Sequence, residues 1–275
     1  MNSPSALIKG CAVAVGLMLA LTSAGALAAE KSGKTSKRSS PPAENSCVEC
    51  HGKRDLMVQN KKLFDYFQAW KFSIHGVSGV MCQECHGGHP SEPSQAAAHG
   101  KAILGASQTG SPTSYQNVPD TCARCHDDVF QNYRKSKHFE HLKVSGESKE
   151  KQGPNCVTCH GSVNTSVLNV TTVRSTCMQC HNKDTGNYPE IPEQAEAVLS
   201  QFLSIQRYYR FIATKTDASR AKSMFKVIDP RVKRLNASWH TFDLEKVTRD
   251  TLDLLDYLKV QRGHLQRQES SREGK

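Results

Sequence analysis

The chain has 275 residues, of which 37 % are hydrophobic and 23 % charged, with a formal charge of +10. A chain this polar and this rich in Gly, Ser and Asn does not bury enough apolar surface by itself to offset backbone ordering, which excludes a self-sufficient apolar core. The basic balance would ordinarily point to nucleic acid or another anionic partner, but no nucleic-acid motif accompanies it, and that class is set aside.

Residues 1–28 begin with one positive charge, Lys9. An apolar run from Gly10 to Leu21 follows, and the segment ends in Ala26-Leu27-Ala28. This pattern predicts a secretory signal peptide cut after Ala28. An uncleaved membrane anchor is the alternative, although the apolar run is short for a span. Lipidation at Cys11 does not fit, because Lys9 stands where a lipobox needs a small residue. Residues 29–46 read as a flexible, solvated linker with a basic cluster that could dock to a partner.

Cys-x-x-Cys-His then recurs five times. The copies are Cys47, Cys50 and His51; Cys82, Cys85 and His86; Cys122, Cys125 and His126; Cys156, Cys159 and His160; and Cys177, Cys180 and His181. This string is the attachment site of c-type haem. Its two thiols can form thioethers with the vinyl groups of one porphyrin edge, and the next residue offers a neutral imidazole to the iron. Zinc ribbons share each metal between two C-x-x-C pairs, and five pairs do not divide that way. Thioredoxin-like sites need no histidine, and a disulfide framework gives no reason for five identical spacings. Five covalent haem c groups are therefore expected. Ten of the 11 cysteines lie in the motifs and the eleventh is Cys11, so the mature chain should have no free thiol.

The haems also change the charge argument. Loss of residues 1–28 removes only Lys9. Ten propionates would then bring the holoprotein to about −1 with all irons ferrous, and about +4 with all ferric, counting each iron's own charge. Residues 47–181 would carry one haem for roughly every 27 residues, so the porphyrins themselves must form the core. The expected fold is mainly α with much irregular loop, with short helices at the motifs, little or no sheet, and a C-terminal helical segment.

Residues 47–188 read as the pentahaem domain and contain a repeat. Phe67-Gln-Ala-Trp-Lys-Phe-Ser-Ile-His75 aligns with Phe130-Gln-Asn-Tyr-Arg-Lys-Ser-Lys-His138. The first four motifs thus look like two dihaem modules, with the fifth appended. From about Glu190 helical periodicity takes over, over residues 189–265. Val198, Phe202, Ile205, Tyr209 and Ile212 make one stripe, and Asp243 can cap a helix with Leu244, Val247, Leu254 and Leu258 on one face. Asp229-Pro230 is expected to break the segment between them, and residues after Gly263, above all 266–275, to be disordered. These helices read as a small bundle packed on the haem region; a dimer or partner surface is the alternative.

Seven histidines remain for the second axial position: His75, His89, His99, His138, His141, His240 and His264. Methionine is poorly supplied, which favours bis-His coordination and low potentials. His75 and His138 rank first because the repeat carries both. His89 follows, since the two glycines of Cys85-His86-Gly87-Gly88-His89 let the chain turn towards another haem. His240 could cap a haem and attach the helices to the haem core, or be an ordinary capping residue. His99 is a fifth choice. His141 is rejected because it shares a helical face with His138, and His264 lies too far into the tail.

The sequence Ser73-Ile74-His75-Gly76, then Cys82-Gln83-Glu84-Cys85-His86-Gly87-Gly88-His89, with helices at the C-terminal end, resembles the superfamily of tetrahaem nitrifier cytochromes, hydroxylamine oxidoreductase and cytochrome c nitrite reductase. The resemblance covers roughly residues 45–182. It implies distal-ligand roles for His75, His89 and His138. All five motifs end in His, so the Cys-x-x-Cys-Lys catalytic haem of the nitrite reductases is missing, and no tyrosine is evident for a haem cross-link. The leading expectation is a periplasmic or extracellular electron carrier. It would work between redox proteins such as a quinol dehydrogenase and a terminal reductase or outer-membrane conduit. The alternatives are an oxidoreductase acting on a small nitrogen or sulfur compound at one open haem, and a subunit of an extracellular haem filament. A homo-oligomer through the C-terminal helices is a further expectation.

Overall fold

A computed structural model describes residues 45–100, 103, 105–144 and 152–273. The expected signal peptide, and the linker up to residue 44, lie outside the described residues. The described chain is helical and loop-like throughout, without a strand among those residues.

Short helices carry the motifs, and local capping explains why each begins where it does. The helix Ser46–His51 starts at Asn45, whose side chain accepts from the amides of Cys47 (3.1 Å) and Val48 (3.4 Å). Cys156–His160 starts at buried Asn155, in a reciprocal capping box with Thr158. Asn169 and Thr172 repeat that box at the start of Val170–Cys177. Side-chain oxygens thus satisfy amides that a first helical turn leaves without partners. The first, second and fourth motifs lie wholly within their helices, while the third and fifth run from a helix end into a turn.

Three long helices follow: Ile191–Lys215, Ala218–Ser238 and Leu244–Glu273. The expected break at Asp229-Pro230 is absent. Pro230 sits inside the second long helix, between fully buried Ile228 and buried Leu235. A mid-helix proline costs about 3 kcal/mol, and burial of this face offsets that local preference. Asp217 caps the second helix through the amide of Arg220 (3.0 Å). Asp243 caps the third through that of Lys246 (2.9 Å), as its position predicts. The third helix passes Gly263 and continues to Glu273 in place of the expected disordered tail, with Leu265 buried on the core face.

Val198, Phe202, Ile205, Ile212, Ile228, Val247, Leu254 and Leu258 form one apolar cluster, with Tyr209 packed against it. The first and third long helices pack along each other, and Val170–Cys177 lies against the first. Arg174 reinforces that junction by bridging Glu193 (2.8 Å) and Glu196 (3.4 Å). Trp239–Thr241, a 3-10 turn between the second and third long helices, packs on the helix Asp127–Tyr133. Among the described residues, no helix is long and apolar enough to cross a membrane.

Candidate haem sites

Each motif makes one tight turn, so its two thiols project from one end of the helix or turn and its histidine follows at once. In the third and fifth motifs the turn closes through the amides of His126 (to the Cys122 carbonyl, 3.0 Å) and His181 (to the Cys177 carbonyl, 2.9 Å). The motifs lie beside one another in sequence order. Cys47 is an electrostatic neighbour of Cys82, Cys85 of Cys122 and Cys125, and Cys159 of Cys177 and Cys180. The Cys156 thiol is hydrogen-bonded to the Cys122 sulfur, which holds Cys122 below its usual pKa and pushes Cys156 up. Burial pushes Cys82 and Cys159 up to about 11. None of the ten motif cysteines is paired as a disulfide.

The ten thiols are not shielded alike. Cys50 is exposed, and so are Cys125 and Cys180, whereas Cys47, Cys82, Cys85, Cys122, Cys156, Cys159 and Cys177 are half-buried. The three exposed residues are the second cysteines of the first, third and fifth motifs. Cys50 stands in the last turn of Ser46–His51, and Cys125 and Cys180 stand in turns just past a helix end. Cys85 and Cys159, the second cysteines of the other two motifs, are covered where the following motif lies against them. Spacing alone assigns all ten residues one role; burial depends on which motif stacks on which.

Four motif histidines each face a second imidazole at nearly one distance. Ring centroids are 6.1 Å apart for His51 and His99, 6.1 Å for His75 and His126, 6.0 Å for His138 and His181, and 6.0 Å for His160 and His240. Ring pairs elsewhere in the fold lie 4.3–6.3 Å apart, whereas these four histidine pairs share one separation. Two imidazole–metal bonds of about 2 Å each, plus the two ring radii, span about 6 Å. Four of these rings are biased towards the neutral, ligating form. Burial, and next the facing imidazole, lowers the pKa of His51, His75 and His240, and burial takes His138 down to about 4.

The motif-side nitrogens are also oriented. His160 Nδ1 lies 2.9 Å from the Ser166 carbonyl, and His181 Nδ1 2.9 Å from that of Asn187. A carbonyl only accepts, so Nδ1 carries the proton and Nε2 keeps its lone pair for a metal, as in other metal-bound histidines.

His75 and His138 are set by one device used twice. Ser73 Oγ donates to the Trp70 carbonyl (2.7 Å) and accepts from the Gly76 amide (3.1 Å). Ser136 Oγ donates to the Tyr133 carbonyl (2.6 Å) and accepts from the Phe139 amide (3.1 Å). Both serines are buried. The aromatic three residues earlier then reaches ahead: Trp70 Nε1 donates to the carbonyl of Val80 (3.0 Å), and Tyr133 Oη to that of Pro154 (2.6 Å). Val80 and Pro154 each stand two residues before the next motif, so each repeat ties its S-x-H histidine to the motif that follows it. The alignment of Trp70 with Tyr133 was visible in the sequence, but this anchoring role was not. Gly76 is required here, since a Cβ would come within 2.1 Å of the Trp70 carbonyl oxygen.

The pairing has a pattern. His75 lies between the first and second motifs and faces the third; His138 lies between the third and fourth and faces the fifth. His99 faces the first motif, although His89 ranked above it as a distal candidate in the sequence. His89 instead donates its amide to the Ala98 carbonyl (2.8 Å), with its ring against Gly100. The second and fourth motifs correspond in the repeat, yet the fourth is faced by His240 from outside it. All twelve histidines are described, and among the described residues no imidazole faces His86, which is exposed. His141 lies against Gly153, and His264 lies beside Arg267 on the third long helix.

Residues 108–182, about a quarter of the chain, match the family model described as cytochrome c7 and related cytochrome c. Over this stretch the chain is similar to multihaem c-type cytochromes. The match takes in the third, fourth and fifth motifs with His138. Comparisons with curated proteins and with solved structures gave no match. That likeness supports a multihaem cytochrome of the electron-transfer kind, with covalently bound haem c. The side chains fit that group better than zinc. Thiols lie in pairs at turn ends and imidazoles face each other across a gap, whereas no three His, Cys, Asp or Glu side chains converge as a metal cluster among the described residues.

Proposed function

We propose that this is an exported pentahaem electron relay. Cys47 with Cys50, Cys82 with Cys85, Cys122 with Cys125, Cys156 with Cys159 and Cys177 with Cys180 would hold the five haems. His51, His86, His126, His160 and His181 would be the proximal ligands. His99, His75, His240 and His138 would complete the first, third, fourth and fifth irons. Bound haem supplies a one-electron ferric/ferrous couple; the chain supplies ligands, spacing and shielding from water. The observation that carries this reading is the four facing imidazole pairs at 6.0–6.1 Å.

Adjacency of the motif thiols in sequence order supports a continuous path from the first motif to the fifth. Bis-His ligation favours potentials mainly below the standard hydrogen electrode. The partners would be redox proteins placed outside the cytoplasm, and the leader-like residues 1–28 support export. A pyridine haemochrome assay on the mature protein should return five haems, and a reductive titration five electron equivalents. Four or fewer haems would overturn the reading.

One observation favours a second reading, an oxidoreductase acting on a small nitrogen or sulfur compound. His86 is exposed and lacks a facing imidazole, so the second iron has a coordination position that no described histidine fills. Rapid CO binding by the reduced protein at one haem, together with turnover of nitrite or hydroxylamine, would support it. CO binding without turnover would leave the relay reading in place.

A further inference from the structure

Phe242 belongs to no motif, repeat or apolar stripe of the sequence. It closes the 3-10 turn Trp239–Thr241 through its amide, which donates to the Trp239 carbonyl (3.1 Å), and it precedes the cap Asp243. Its φ is +54°, in the left-handed region. That conformation suits Gly or Asn and is an outlier for a bulky side chain. The residue is 38 % exposed, so core burial does not explain why an aromatic is kept there.

What the ring touches does explain it. Its centroid lies 4.3 Å from that of His138, at an interplanar angle of 64°, and 6.3 Å from that of His240, at 76°. Both are edge-on contacts of the kind that aromatic quadrupoles favour. These two histidines face the fifth and fourth motifs, and they lack the restraint their partners have. His160 and His181 are each held through Nδ1 by a backbone carbonyl, the usual way a ligating imidazole is oriented. His138 Nδ1 is buried without a hydrogen-bond partner. His240 Nδ1 is buried beside the Asn236 and Ala237 carbonyls without a well-formed hydrogen bond to either. No well-formed hydrogen bond at Nδ1 fixes the rotation of either ring.

We propose that Phe242 is a positioning residue that sets the ring planes of His138 and His240 together, and so couples the electronic structure of two neighbouring haems. The proposal rests on the ligand pairing given above. It gives the strained backbone a role, since from the left-handed position one side chain contacts both rings. The two ligand pairs it touches differ in interplanar angle, 45° for His138 with His181 and 23° for His240 with His160. The relative orientation of two axial imidazoles sets the rhombic splitting of a low-spin ferric haem, so the angle can be read spectroscopically.

The test compares low-temperature EPR spectra of the oxidised, full-length holoprotein with those of F242G, F242Y and F242L. F242G removes the ring and relieves the backbone, so its folding is not placed at risk by φ. Two low-spin signals, and only two, should shift or broaden in F242G, and F242Y should restore them. F242G signals that coincide with wild type would overturn the proposal. If F242G does not accumulate, F242L serves: a shift of the same two signals supports the proposal and an unchanged spectrum overturns it. A wild-type protein without bis-imidazole low-spin signals would instead remove the ligand pairing beneath it.

Discussion

Ser73 and Ser136 show how much one hydroxyl can position. Each accepts an amide at the start of a one- or two-turn helix, and the histidine two residues later inherits its direction from that turn. Ser73→Ala or Ser136→Ala should cost about 1 kcal/mol, the usual effect of losing such a cap, measured as a drop in thermal stability of the holoprotein. A partial high-spin signal should appear with it, from the third iron in the first case and the fifth in the second. The repeat made this much legible: an S-x-H pattern occurring twice singled out both histidines, and each faces a motif imidazole in the fold. Choosing between His89 and His99 was not legible, because the decision depends on where Ala98 and Gly100 bring the loop back. The exposure of Cys50 beside half-buried Cys85 was hidden too, since identical motifs differ only in what stacks on them. Phe242 was hidden for a similar reason, as its role comes from a positive φ and from a ring, His138, far away in the chain.

At the scale of elements, periodicity did well where burial is one-sided. Val198, Phe202, Ile205 and Ile212 on the first long helix, with Val247, Leu254 and Leu258 on the third, meet in one cluster as their spacing implied. Pro230 misled because local chain preference was set against a buried face, and the face won. Gly263 misled likewise, since Leu265 remains on the core side of a continuing helix. Leu258 is fully buried, and Leu258→Ala should destabilise the protein by about 2–5 kcal/mol in denaturant unfolding. Visible absorbance of the other haems should change less than that of the fourth, whose His240 hangs from this bundle. Tyr133→Phe keeps the ring but removes its hydrogen bond to Pro154. It should cost about 1 kcal/mol in the same assay, with no change in haem count.

Across the whole molecule, two kinds of core share the work. The helical end has an ordinary apolar cluster, while the motif region is built from capped turns, buried hydroxyls and paired imidazoles, with haem to supply the rest. His240 joins the two, facing His160 from the turn between the second and third long helices, and the Lys233–Asp128 ion pair (3.5 Å) adds a weaker tie. His240→Ala should therefore convert the fourth haem to a high-spin species and lower the thermal stability of the holoprotein. Lys233→Ala should do neither measurably, as an exposed ion pair contributes little.

The pairing of imidazoles is the central claim, and spin-quantified EPR of the oxidised, mature protein measures it directly. Four low-spin bis-imidazole haems and one high-spin haem that cyanide converts to low-spin are expected, with the high-spin signal lost when Cys82 and Cys85 are replaced. Two or more high-spin haems in the untreated protein would contradict the four pairs. Five low-spin haems would contradict the open position opposite His86.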